Sequence, residues 1–226
     1  MWYILGIDQS TQGTKGLLFD ENGTLKARTD VPHAQLVDER GWVEHDPKSL
    51  YRNTLAAAKA VLEKAGVPSG EVIGAGISNQ RETAIAWNRD TGEPIYNAIV
   101  WQCARGVKIC NALESAGYAK TIKDKTGLPL SPYFSAAKLA WILQNVSQAS
   151  SLMQRGKLCM GTVDSWLLYQ LTDKRELKTD YSNASRTQLF NIVDLCWDKE
   201  ICGLFGINPT ALPQVCDTDS LFGLSD

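Results

Sequence analysis

A short polar segment near the N-terminus has residue types that suit phosphate binding. It follows an apolar run over residues 2–7 and reads Asp8-Gln9-Ser10-Thr11-Gln12-Gly13-Thr14-Lys15. Its backbone N–H groups and hydroxyls can point at phosphate oxygens, and Lys15 adds positive charge. The Asp8 carboxylate, at the end of the apolar run, is well placed to hold Mg²⁺ through water, as nucleotide phosphates require. The candidate phosphate ligands are Thr11, Gln12, Gly13 and Lys15, and Asp8 is the candidate metal residue.

The same segment also fits a β-hairpin with a polar tip, and its composition does not separate the two interpretations. It matches neither GxxxxGK[ST] nor GxGxxG. The sequence therefore carries neither the P-loop nor the Rossmann fingerprint.

A second polar group, Asn79-Gln80-Arg81-Glu82, follows the glycine-containing apolar run over residues 72–78. A bidentate arginine beside an accepting carboxylate is what a site needs to hold several vicinal hydroxyls. The plainer alternative is a surface ion pair between Arg81 and Glu82, which would contribute little stability.

The segment 179–187 is rich in polar residues and precedes the apolar Leu189-Phe190. On its residues alone, we interpret it as a solvated loop with an Asx or Ser/Thr turn. On composition, Trp101 and Tyr133 are ordinary core or rim aromatics.

Composition describes a globular chain without special partners. Of its 226 residues, 44% are hydrophobic and 21% charged, and the net charge of −2 without a basic run gives no footprint for nucleic acid. No segment approaches the ~18 apolar residues of a membrane span, and the N-terminus lacks the basic region of a signal peptide, so we expect a cytoplasmic protein.

The six cysteines form no CxxC pair, and with two histidines no zinc cluster is indicated. We expect free, buried thiols.

The predicted elements give an α/β fold with a mixed sheet and flanking helices. Residues 2–31 predict a three-stranded antiparallel meander, and Asp46-Pro47 predicts the start of a helix that ends at Gly66. Strands are expected over 72–78 and 84–87, with an extended segment over 95–101. From Arg105 onward the pattern favours helices, at 107–116, 118–126, 136–146, near residue 152 and at 163–171.

Taken together, these segments resemble the N-terminal domain of the FGGY carbohydrate kinases, and within that family the glycerol kinases most closely. The matching stretches are GIDQST at 6–11, GWVEHDP at 41–47, GISNQRET at 76–83, TGEPIYNAIVWQ at 91–102, SPYFSAAKLAWIL at 131–143, GTVDSWLLYQLT at 161–172 and TDYSNASRTQLFNI at 179–192. The resemblance implies an actin-like, ribonuclease-H-like fold. It also implies transfer of the ATP γ-phosphoryl group to a terminal hydroxyl of glycerol, with Mg²⁺, in a family that commonly forms homo-oligomers.

The resemblance also implies roles for single residues. Arg81 and Glu82 would hydrogen-bond glycerol hydroxyls, Trp101 would pack on its carbon chain, and Tyr133 would contact a hydroxyl. Asp8 would lie near Mg²⁺ and Thr11 would contact the phosphates. The loop departs from the glycerol-kinase pattern, because Gln12 and Gly13 replace hydroxyl residues and Lys15 replaces an arginine.

By the same resemblance, residues 1–226 are expected to form the acceptor-substrate domain, with the nucleotide domain outside this chain. The family's catalytic base is an aspartate in a GDQ motif, which does not occur in the chain and is expected beyond Asp226. We therefore expect the chain to be inactive alone. The alternatives are a kinase for another polyol or ketose sugar, or a non-catalytic actin-fold module that binds polyol or a partner.

Overall fold

The computed structural model describes residues 1–225, which form two compact units with separate hydrophobic cores. The strands are β1 Tyr3–Gln9, β2 Gly13–Asp20, β3 Leu25–Pro32, β4 Leu36–Val37, β5 Val43–His45, β6 Val72–Asn79, β7 Ile85–Asn88, β8 Ala98–Ile99, β9 Leu158–Gly161, β10 Lys178–Asp180, β11 Phe190–Asn191, β12 Cys196–Trp197 and β13 Gln214–Cys216. The helices are α1 Pro47–Ala65, α2 Val107–Ser115, α3 Ala119–Thr126, α4 Ser135–Asn145, α5 Ala149–Gln154, α6 Val163–Leu171, α7 Tyr181–Ala184 and α8 Lys199–Leu204.

The first unit comprises residues 1–35 and 45–80 and is built on a four-stranded sheet of order β3-β2-β1-β6. Strands β1, β2 and β3 are antiparallel, as the sequence predicts, whereas β6 pairs with β1 in parallel. Alternate side chains of β1 point into the core, where Tyr3, Leu5 and Ile7 pack with Leu18 and Val61. The mixed sheet follows because α1 carries the chain across between β3 and β6.

Helix α1 begins and ends at the residues that its sequence predicts. The Asp46 carboxylate accepts a hydrogen bond from the Lys48 amide, Pro47 occupies the first turn, and Gly66 adopts the left-handed conformation that ends the helix. The helix lies very close to β2, because a Cβ at Gly16 would be 2.5 Å from the Ala57 carbonyl oxygen. Gly16 therefore permits the contact that covers this face of the sheet.

The second unit comprises residues 36–44 and the chain from Arg81 onward. Its core packs α2, α3, α4, α5 and α8 around the antiparallel pair β7-β9. Helix α4 lies deep in this core: seven of its eleven residues are buried. The sequence correctly predicts α2 to α6 as helices.

Several expectations for the second unit are wrong. The sequence predicts only helices after Arg105, whereas the structure has strand β9 there, which pairs with β7. The extended segment 95–101 contains only the two-residue strand β8. Residues 179–187 are not a solvated loop, because Thr179, Asp180, Asn183 and Thr187 are buried, although Asp180 does cap α7 as an Asx residue should.

Two expectations from composition, on the cysteines and on membrane spans, can be compared with the structure. All six cysteines are free, but Cys196 is exposed and Cys216 half-buried, so the expectation of buried thiols holds only for the other four. Among the helices of residues 1–225, none has the length and apolar character needed to cross a lipid bilayer.

Candidate functional site

The candidate phosphate segment, residues 8–15, is a tight hairpin rather than a long loop. Only residues 10–12 connect the strands, because β1 extends to Gln9 and β2 begins at Gly13. Gly13 is required by the close approach of β3, since a Cβ there would lie 2.8 Å from the Val31 carbonyl oxygen. The segment is thus a β-hairpin with Thr11 and Gln12 at its tip, and phosphate binding at that tip stays a prediction.

Asp8 and Lys15 lie opposite each other in the β1–β2 register and form an ion pair, with Lys15 Nζ 2.5 Å from Asp8 Oδ2. Both side chains remain partly exposed, at 40% and 31%. The candidate metal carboxylate therefore already has a cationic partner that also suits a phosphate group.

His33 joins this hairpin to helix α1. Its Nε2 atom lies 2.9 Å from Thr14 Oγ1 and 3.1 Å from Gln9 Nε2, and its Nδ1 atom lies 2.8 Å from Asn53 Nδ2. Burial, with a smaller contribution from nearby His45, lowers the pKa of His33 to about 4, so the ring is neutral at pH 7. The Thr14 hydroxyl is therefore engaged within the unit and is not presented to a ligand.

The hairpin tip lies at the carboxyl end of the parallel pair β1–β6, the edge where ligands bind in open α/β sheets. Here the Gln80 amide donates to the Gln9 carbonyl oxygen at 2.6 Å, fixing the end of β6 to the end of β1. Within residues 1–225 no group of three or more His, Cys, Asp or Glu side chains is arranged to hold a metal ion. A single carboxylate such as Asp8 suits Mg²⁺ only when phosphate oxygens and waters supply the other ligands.

Glu82 is the centre of the second candidate site. It is 6% exposed, and its backbone has the uncommon φ of 64°. Arg186 Nε donates to Glu82 Oε1 at 2.6 Å, and the Ser135 hydroxyl donates to the Glu82 carbonyl oxygen at 3.1 Å. Arg81 is exposed and forms no hydrogen bond or ion pair with any other residue of 1–225. The alternative of a surface ion pair between Arg81 and Glu82 is therefore wrong.

Aromatic rings extend from this ion pair. The Arg186 guanidinium lies 5.1 Å from the centre of the Phe134 ring, Phe134 contacts Tyr133 edge-on, and Tyr133 lies 5.5 Å from Trp101 between ring centres. Tyr133 is 38% exposed and Trp101 half-buried, so these two rings have faces or edges open to a ligand. We call Glu82, Trp101, Tyr133, Phe134 and Arg186 the acceptor cluster.

In the acceptor cluster, Tyr133 and Phe134 directly precede α4, and Trp101 follows the end of β8. The Trp101 amide donates to Thr83 Oγ1 at 3.2 Å, which ties Trp101 to the residue after Glu82. Sequence reasoning missed Arg186, although it lies in the polar segment that precedes Leu189-Phe190. Its partner Glu82 is 104 residues away, and such a distant pairing leaves no signal in spacing.

Known proteins resemble the chain throughout its length. Glycerol kinase 1 of Thermotoga maritima is 48% identical over 224 residues, which is 99% of this chain and 46% of that protein. A crystal structure of Plasmodium falciparum glycerol kinase with ADP has a TM-score of 0.92 and 38% identity, over 100% of this chain and 45% of that one. Gluconate kinase from Lactobacillus acidophilus has a TM-score of 0.88 and 25% identity, over 99% and 44% of the two chains.

These similarities confirm the expected actin-like, ribonuclease-H-like fold. The chain spans about half the length of the curated relatives it matches. The model of the N-terminal domain of the FGGY family of carbohydrate kinases matches residues 3–225. The chain therefore belongs to the FGGY family of carbohydrate kinases.

Proposed function

We propose that this chain is the acceptor-substrate domain of an ATP-dependent glycerol kinase. The observation that carries the proposal is the acceptor cluster, in which a buried carboxylate held by Arg186 is joined to two partly open aromatic rings. The identity with glycerol kinases over nearly the whole chain supports the same assignment.

The residue types in the cluster suit a small triol. A glycerol molecule offers three hydroxyls and a short carbon chain, so its affinity depends on paired polar groups and one apolar wall. Arg81 would donate to hydroxyls, Glu82 would accept from them through the oxygen that Arg186 Nε does not contact, and Tyr133 would contact another. Trp101 would pack on the carbons. An acceptor that lacks one of these hydroxyls would leave buried polar groups unpaired, which gives strong discrimination.

The hairpin would contribute to the phosphate site. Thr11, Gln12, Gly13 and Lys15 would contact the ATP phosphates through backbone N–H groups and side chains. Asp8 would help to hold Mg²⁺ through water, and the ion when bound neutralises phosphate charge. Since Lys15 already pairs with Asp8, the hairpin would meet the nucleotide with both charges in fixed positions.

Glu82, the one carboxylate of the acceptor cluster, is already paired with Arg186, and its role in the proposed site is to accept hydrogen bonds from the hydroxyls. Phosphoryl transfer also needs a group that orients or deprotonates the attacking hydroxyl. We infer that this group is an aspartate elsewhere in a longer protein, and that the 226-residue chain alone binds glycerol without phosphorylating it.

The test is a substrate panel on the full-length protein, with ADP release measured for glycerol, xylulose and gluconate. We expect glycerol to be preferred, and Arg81→Ala to abolish its phosphorylation while circular dichroism and the melting temperature stay unchanged. A preference for xylulose or gluconate would favour another sugar kinase of the family. Glycerol turnover that survives Arg81→Ala would contradict the acceptor site.

A further inference from the structure

The side chain of Lys138 is unusual because it is fully buried, with no exposed surface, on helix α4. Charged lysines are almost never fully buried unless they are paired. Its ammonium donates to the carbonyl oxygens of Pro132 at 2.9 Å and Phe134 at 3.0 Å, and to that of Tyr133 between them. A lysine has three N–H donors, so these three consecutive carbonyls use all of them.

The charged groups that act on the ammonium include Glu82 of the acceptor cluster. Burial lowers the pKa of Lys138 to about 7, while the neighbouring Cys103 thiol and Glu82 carboxylate act in the opposite direction and Arg105 reinforces the lowering. The three carbonyl oxygens also favour the charged form, because each accepts a hydrogen bond from it. Lys138 therefore holds the backbone that carries Tyr133, and the negative charge of Glu82 acts on its ammonium.

We propose that Lys138 is a positioning residue for the acceptor site, which holds the backbone of residues 132–134 so that the Tyr133 ring stays against Trp101. This inference rests on the proposed function. Tyr133 is the most exposed ring of the cluster, at 38%, so its orientation depends on its backbone. Without the ammonium, three carbonyls lose a donor and the turn before α4 loses its fixed geometry.

The test uses the full-length protein and compares Lys138→Met with Leu139→Ala. Methionine keeps the length and apolar stem of lysine but has no donor, whereas Leu139→Ala destabilises the same buried helix without removing a hydrogen bond. We expect Lys138→Met to raise KM for glycerol about tenfold, with KM for ATP and kcat nearly unchanged. Leu139→Ala should leave KM for glycerol unchanged.

A double-mutant cycle with Tyr133→Phe separates positioning from general stability. If Lys138 acts through Tyr133, Lys138→Met should raise KM for glycerol by less than about threefold in the Tyr133→Phe background. An equal factor in both backgrounds, or the same rise from Leu139→Ala, would overturn the proposal. If Lys138→Met does not fold, Lys138→Gln, which keeps two N–H donors, takes its place in the cycle.

Hydrogen exchange separates failure of this proposal from failure of the proposed function. An unmutated protein that does not phosphorylate glycerol would refute the function. In that case, faster amide exchange over residues 133–137 in Lys138→Met, but not in Leu139→Ala, would still support the holding role. Unchanged exchange in Lys138→Met would overturn it.

Discussion

At the scale of single residues, Glu82 combines an uncommon backbone conformation with a buried charge. A φ of 64° in a residue other than glycine costs on the order of 1 kcal/mol and persists only where neighbouring groups hold it. Ser135 holds the Glu82 carbonyl oxygen, and Arg186 holds its carboxylate. Strained backbone of this kind clusters at ligand and active sites, which fits Glu82 in the proposed acceptor site.

The Arg186→Gln substitution tests this pairing. Removing the guanidinium leaves the Glu82 carboxylate buried without its cationic partner, which costs about 3 kcal/mol when the pair is fully buried and less here, since Arg186 is 34% exposed. We expect KM for glycerol to rise at least about tenfold, because the carboxylate loses its fixed orientation. Steady-state kinetics of the full-length protein measure this change.

The matched control is Arg155→Gln in the same unit, because Arg155 is exposed and its Nε donates to the local Ser151 carbonyl oxygen at 3.2 Å. It should leave KM for glycerol unchanged. Equal kinetics for both variants would mean that Arg186 does not act on the acceptor through Glu82.

At the scale of elements, the strongly patterned parts of the fold are predictable and the long-range pairings are not. The cap, the proline and the terminal glycine of helix α1 are all recognisable from the residues at its two ends. The strands of the meander β1–β3 are joined by tight turns. Strand β9 was missed because Leu158–Gly161 is a short apolar run without alternation, and it pairs with β7 some 70 residues earlier.

The same limit applies to the candidate site. Arg81 and Glu82 were identified by type and adjacency, but adjacency also suggested an ion pair between them that does not exist. The positive φ at Glu82 and its pairing with Arg186 depend on tertiary contacts. The burial of Lys138 was equally unreadable, because it depends on three carbonyl acceptors in the turn before α4, which the residue types do not reveal.

His33 contacts β1, β2 and helix α1, and its titration should make the free energy of unfolding depend on pH. The folded pKa, about 4, is below the ordinary value of 6.5, so the unfolded chain binds more protons between these values. The contribution of His33 is fully present above pH 6.5 and is lost as pH falls toward 4. After allowance for its partial exposure, we expect it to be on the order of 1–2 kcal/mol.

Urea unfolding between pH 4 and 7 measures this contribution. His33→Gln should flatten the fall of the free energy of unfolding in that range. Part of the slope should remain, because burial also lowers the pKa of His45. An unchanged slope in the variant would show that His33 does not titrate with folding.

At the scale of the whole molecule, each unit has its own core and one of the two candidate sites. The hairpin with Asp8 and Lys15 belongs to the first unit, and the acceptor cluster belongs to the second. A ligand stabilises the part of a protein that it binds and leaves local opening elsewhere unchanged unless the parts are coupled. The division of the chain therefore predicts different protection patterns for the two proposed ligands, glycerol and MgATP.

Amide hydrogen exchange of the 226-residue chain, followed by mass spectrometry, tests this prediction directly. Saturating glycerol should slow exchange in peptides that contain Glu82, Trp101 and Tyr133, because ordering by the ligand suppresses local opening there. Exchange over residues 8–15 should respond to MgATP instead. Arg81→Ala should remove the response to glycerol and keep the response to MgATP, which makes it an internal control. Protection by glycerol confined to residues 8–15 would contradict the assignment of both sites.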